Sequence, residues 1–121
     1  MKLEVGEYVR TNSGYIGKVT EILDGAVVLR VQTERKSVST IMIKKHSKNI
    51  LDIIEKGDLI KIKLKSHHKT ESIYEWKEAP DNNSATWKRI LEQIESGYYE
   101  IVSIITKEEF KNKNIEYKVE E

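Results

Sequence analysis

The sequence predicts an α+β fold. Residues 1–46 read as a small antiparallel β-barrel unit, 47–56 as a short linking helix, and 57–121 as a second β unit with an inserted amphipathic helix at 84–96. The whole is short enough to pack as one domain. Three observations carry this. Short β-branched runs broken by Gly, Asn and Asp fill the first third. Apolar spacing switches to three and four residues at Ile50–Ile54 and again at Trp87–Ile94. A chain of 121 residues, 38% hydrophobic, holds enough apolar surface for a core.

The elements follow in order. Glu7–Thr11 is a short strand, and Asn12–Ser13–Gly14 supplies turn chemistry. Tyr15–Leu23 carries Ile16, Val19 and Ile22 on an extended run. Asp24–Gly25 is the strongest hairpin signal, because a two-residue type I′ turn requires positive φ at both central positions. Ala26–Val31 returns, and after Gln32–Lys36 the run Val38–Ile43 forms one further strand. In Ser47–Lys56, residues Ile50, Leu51, Ile53 and Ile54 share a helical face, with Ser47 or Asn49 as cap and Gly57 at the end.

Lys56–Gly57–Asp58–Leu59–Ile60–Lys61 repeats the pattern of Val5–Gly6–Glu7–Tyr8–Val9–Arg10, which hints at two related β units. Residues 66–83 read as a polar, exposed excursion in which Ile73, Tyr74 and Trp76 can form a short strand. Ser84 caps an amphipathic helix through Trp87, Ile90, Leu91 and Ile94, and Gly97 ends it. Tyr98–Ile105 is an apolar strand, Thr106–Glu109 has capping-box spacing, and Ile115, Tyr117 and Val119 alternate in a final strand.

Composition removes whole classes of function. With no cysteine there is no disulfide, thiolate metal site or thiol nucleophile, and a reducing, cytoplasmic setting is expected. No apolar run suits a secretory signal or a membrane span, so no membrane partner is expected. Net charge is only +1, but it is unevenly spread. Residues 35–69 carry ten basic and three acidic groups, +7, whereas 70–121 carry seven basic and twelve acidic groups, −5.

Catalytic patterns are weak. Gly14–Tyr15–Ile16–Gly17–Lys18–Val19 has two residues between its glycines where a P-loop has four, and it lacks the hydroxyl after lysine. It reads as a turn followed by a bulge glycine. His67–His68 with Glu71 and Glu75 lack metal-site spacing, since adjacent strand residues face opposite ways. The carboxylate pairs Glu108–Glu109 and Glu120–Glu121 are accounted for by capping and solvation. The expectation is no enzyme, no metal and no cofactor.

The features suited to binding are Lys61–Ile62–Lys63–Leu64–Lys65 and the aromatic side chains. Strand periodicity sets the three lysines on one face, about 6.6–7 Å apart, a spacing comparable to that of phosphates along one strand of nucleic acid. Lys44, Lys45 and Lys48 lie just upstream in sequence. Trp76, among charged neighbours, is the aromatic expected to be exposed and available to a partner.

Two resemblances add to this. Val5–Thr11 followed by Gly14–Val19 resembles the first hairpin of SH3-like small barrels, including the KOW type. That likeness implies binding of RNA, ribosomes, transcription machinery or peptides. The opening, together with Lys45–Ile50, Asp52, Gly57–Asp58 and Ile105–Phe110, resembles uncharacterised proteins of clostridial bacteria and their prophages, which implies a phage-type accessory protein. The expected function is therefore a non-enzymatic inhibitor or adaptor that binds a host protein, for example of a defence or transcription complex. The alternative is a nucleic-acid-binding module. The candidate residues for either are Lys44, Lys45, Lys48, Lys61, Lys63, Lys65 and Trp76. The acidic balance of 70–121 places the protein partner first, because it repels phosphate. The oligomeric state is left open.

Overall fold

The computed structural model describes residues 2–64, 73–110 and 116–119. Lys65, His67, His68, Glu71, Ile115, Glu120 and Glu121 lie outside them. The chain divides into two compact units, Met1–Ile54 and Glu55–Glu121.

The first unit is one five-stranded antiparallel sheet. Its strands are β1 (Tyr8–Thr11), β2 (Ile16–Leu23), β3 (Ala26–Val31), β4 (Glu34–Ser39) and β5 (Ile43–Ser47), in the order β4-β3-β2-β1-β5. Val9, Val19, Val27, Leu29 and Ile43 form its buried core, with Leu3, Tyr15, Val31 and Val38 packed against them. Alternation along β-branched strands produces this: Val27 and Leu29 turn inward while Arg30 stays exposed.

The expected α+β class with a barrel does not hold. The fold is mostly antiparallel β in two sheets, and among the described residues the only helix longer than a single turn has 11 residues. The first sheet is not closed by hydrogen bonds, since β4 pairs only with β3 and β5 only with β1. Two local misreadings lie behind this. Val38–Ile43 is not one strand but is split by a 3₁₀ turn at Thr40–Met42, which moves the chain from one sheet edge to the other. The expected 47–56 helix is a single 3₁₀ turn, Ile50–Ile53, capped by the Asn49 side chain accepting from the Leu51 N–H at 3.0 Å. The chain is extended again at Ile54, and Ile53 and Ile54 are both fully buried.

Two glycine readings also change. Gly25 takes φ +74° but Asp24 does not enter the positive region, so the β2–β3 turn is not type I′. Gly17 is not the bulge residue; the irregularity in β2 falls between Val19 and Glu21. Glycine is needed at 17 because an added Cβ would come within 2.9 Å of Leu29 Cβ and Val31 Cγ2.

The second unit is a four-stranded antiparallel sheet of β6 (Leu59–Leu64), β7 (Ile73–Glu78), β8 (Tyr99–Ile105) and β9 (Tyr117–Lys118), in the order β7-β6-β8-β9. Helix α1 (Ala85–Glu95) starts where the Ser84 hydroxyl accepts from the Trp87 N–H at 3.1 Å, and Gly97 follows it at φ +86°. Its buried residues are Trp87 and Ile90, and it packs on β8. One sheet face presents buried Ile60, Ile62, Ile101, Ile104 and Tyr117. Helix α2 (Lys107–Phe110) is a single turn, beside which the Tyr117 hydroxyl donates to Glu109 Oε2 at 2.7 Å.

The sequence echo between the units corresponds to a shared local structure. Gly6 and Gly57 adopt φ +94° and +96°. The acid after each is buried and folds back on the amide three residues earlier. Glu7 Oε1 accepts from the Glu4 N–H at 2.7 Å, and Asp58 Oδ2 accepts from the Glu55 N–H at 2.8 Å. The pairing also matches: Gly6 donates to Val19 and Val19 to Glu7, as Gly57 donates to Ala79 and Ala79 to Asp58. The remaining carboxylate oxygen clamps a distant segment in each case. Glu7 Oε2 meets His46 Nδ1 at 2.7 Å, and Asp58 Oδ1 accepts from the Lys107 N–H at 3.0 Å.

Candidate functional site

Strand β6 positions the lysines as alternation requires. Ile60 and Ile62 are fully buried on one face, and Lys61 and Lys63 stand on the other. The register then decides what lies beside them: Lys61 is opposite Trp76 and Lys63 opposite Tyr74 on β7. Opposed residues of an antiparallel pair share a face and lie close together. The Lys61 ammonium sits 5.2 Å from the Tyr74 ring centroid and 5.8 Å from that of Trp76. Tyr74 and Trp76 remain 50% and 42% exposed, because β7 is an edge strand. The result is an exposed aromatic pair with a cation held against it.

The same face carries acids. Glu100 on β8 lies opposite Lys63, and Glu78 occupies the face of Trp76 two residues on. Ser103, opposite Lys61, is buried and donates to Glu116 Oε1 at 2.6 Å, with Lys118 beyond it. The charge of this face is therefore mixed, and the lysines do not form an isolated basic track.

The other candidate lysines belong to the first unit. Lys44 is exposed and Lys45 half-buried on β5, the latter opposite Arg10. Lys48 is paired with Glu4 Oε2 at 2.9 Å, and that hydrogen bond holds its ammonium above the usual lysine range. Of the seven candidates, Lys61, Lys63 and Trp76 are brought together, and Lys65 is outside the described residues. Tyr74 completes the group; the Tyr74–Glu75–Trp76 alternation was the signal for it.

Two further features define this region. An open groove of about 470 Å³ runs between β7 and α1, lined by Glu75, Lys77, Arg89, Ile90, Gln93 and Tyr99 among others. Among the described residues no group of three metal-ligating side chains gathers, and no helix is long and apolar enough to cross a membrane.

In the first unit the Glu7–His46 pair is the notable ionic contact. Burial pushes the Glu7 carboxyl up. The hydrogen bonds from His46 and the Glu4 N–H, with the nearby charges of His46 and Lys48, outweigh it and leave the carboxyl below its usual value. Comparison with family models, with curated proteins and with solved structures returns no match for this chain.

Proposed function

We propose that this chain is a non-enzymatic binding module that engages a protein partner through the β6–β7 face of its second unit, acting as an inhibitor or adaptor. The observation that carries the reading is the exposed Tyr74–Trp76 pair backed by Lys61. Tyrosine and tryptophan are the residue types that dominate protein interfaces, because they bury large area for few rotatable bonds. The mixed charges on this face, Lys63 opposite Glu100 and Glu78 beside Trp76, suit a polar interface rim. A phosphate chain would instead meet acids on the same face, which is what favours protein over nucleic acid.

The test is capture from bacterial lysate on the immobilised chain, with and without nuclease, by wild type and by a Tyr74→Ala/Trp76→Ala variant. Both side chains point away from the buried face, so the fold should survive, as far-UV circular dichroism would show. The reading expects a partner that resists nuclease and binds the variant at least about thirtyfold more weakly, the scale of an interface hot spot. Retention that disappears with nuclease transfers the face to nucleic acid. In that case Lys61→Ala/Lys63→Ala should reduce the salt slope by about two.

A further inference from the structure

Strand β7 is an edge strand of the second unit, and among the described residues β6 is its only strand partner. The Ala79 N–H donates to Asp58 and its carbonyl accepts from Gly57, so both backbone groups of Ala79 face β6. The period of two then turns those of Lys77, Glu75 and Ile73 the same way. The N–H and C=O groups of Tyr74, Trp76 and Glu78 are left aimed at the open edge.

Natural sheets blunt such edges with proline, bulges, charge or shortness. Edge strand β9 has two residues, and β4 carries Glu34, Arg35 and Lys36 and exposes no large apolar side chain. Strand β7 has six residues, no proline and no register shift against β6, and it exposes Ile73, Tyr74 and Trp76.

We propose that β7 pairs antiparallel with β7 of a second copy of this chain, about a two-fold axis at Trp76. In this register Trp76 lies opposite Trp76 of the second copy, and Tyr74 opposite Glu78. Every outward backbone group meets an outward partner, giving six hydrogen bonds. On the other face Glu75 lies opposite Lys77 of the second copy and Lys77 opposite its Glu75, so both flanking pairs join opposite charges. The next registers that preserve the faces are centred on Glu75 and on Lys77; each opposes like charges at its centre and makes four bonds.

Within one chain the Lys77 Nζ to Glu75 Oε1 separation is 3.5 Å and both side chains are partly exposed, so that contact competes weakly. The groove between β7 and α1 leaves room for side chains of the added strand. The aromatic face remains open in the dimer and becomes continuous across it. Trp76 lies on the axis, so Tyr74→Ala/Trp76→Ala touches both readings, whereas Glu75 and Lys77 stand on the opposite face and their substitution tests the dimer apart from the protein-binding reading.

The experiment is sedimentation equilibrium of the full chain from low to high micromolar concentration, where a dimer doubles the 14.1 kDa monomer. Glu75→Lys and Lys77→Glu each oppose two like-charged pairs and are expected to weaken dimerisation about tenfold or more. The double variant Glu75→Lys/Lys77→Glu restores both pairs and is expected to recover it. Tryptophan fluorescence confirms that each variant is folded. A wild-type chain that stays monomeric throughout overturns the proposal, and so does a dimer indifferent to the single substitutions. A monomer whose edge is protected only by a different protein assigns the edge to that protein and also overturns it.

Discussion

Replacing Asp58 by alanine should unfold the second unit at much lower denaturant, and the structure supplies the magnitude. Asp58 is 0% exposed. Its two oxygens accept from the main-chain N–H groups of Glu55 at 2.8 Å and Lys107 at 3.0 Å. These bonds hold the turn before β6 and the start of α2 to one another. Each buried amide left without its acceptor costs about 1–3 kcal/mol, so the substitution should cost about 3–4 kcal/mol in all.

Asparagine keeps one accepting oxygen but sets an NH₂ donor towards the other amide. It should lose about half as much. Both tryptophans, Trp76 and Trp87, lie in the second unit, so fluorescence during urea unfolding reports that unit alone. With a slope of about 1 kcal/mol per molar, expected for a unit this small, the alanine variant should lower the midpoint by about 3 M. A loss below about 1 kcal/mol for alanine, or asparagine costing more than alanine, would refute the claim that Asp58 acts as an acceptor for two amides.

Three further outcomes follow from the first unit. Gly17→Ala should destabilise by about 1–3 kcal/mol, since its Cβ would meet Leu29 and Val31 at 2.9 Å, and far-UV circular dichroism on heating reads the loss. Gln32→Gly should stabilise by about 0.5–1 kcal/mol, because Gln32 sits at φ +57° in the left-handed region; a lowered melting temperature would count against this. The Glu7 carboxyl titrates below its unfolded value, so its contribution is present above the ordinary glutamate range and is lost as pH falls through the folded value. The protection factors against hydrogen exchange at the amides of Glu4 and Val19, taken relative to intrinsic rates at each pH, should therefore fall towards acid pH in the wild type, and Glu7→Gln should flatten that response.

The sequence by itself determined the local elements. β-Branched alternation placed β3 at Ala26–Val31, and the Ser84 cap with Gly97 bounded α1 to within a residue. The echo around Gly6–Glu7 and Gly57–Asp58 marked a device whose cause is local: a glycine in the left-handed region lets the next acid reach an amide three residues back. Alternation also set Lys61 and Lys63 apart from Ile60 and Ile62.

Tertiary structure decided what local pattern leaves degenerate. Ile50, Leu51, Ile53 and Ile54 fit a helical face, yet the chain takes only a 3₁₀ turn there, Ile54 is extended, and both Ile53 and Ile54 are fully buried. Val38–Ile43 has strand composition throughout, but the sheet needs the chain to cross between its edges, and it breaks at Thr40–Met42. The face on which Lys61 meets Trp76 and Tyr74 depends on the register between β6 and β7. A slip of one residue would have paired the same lysines with the other face, because side chains alternate with period two.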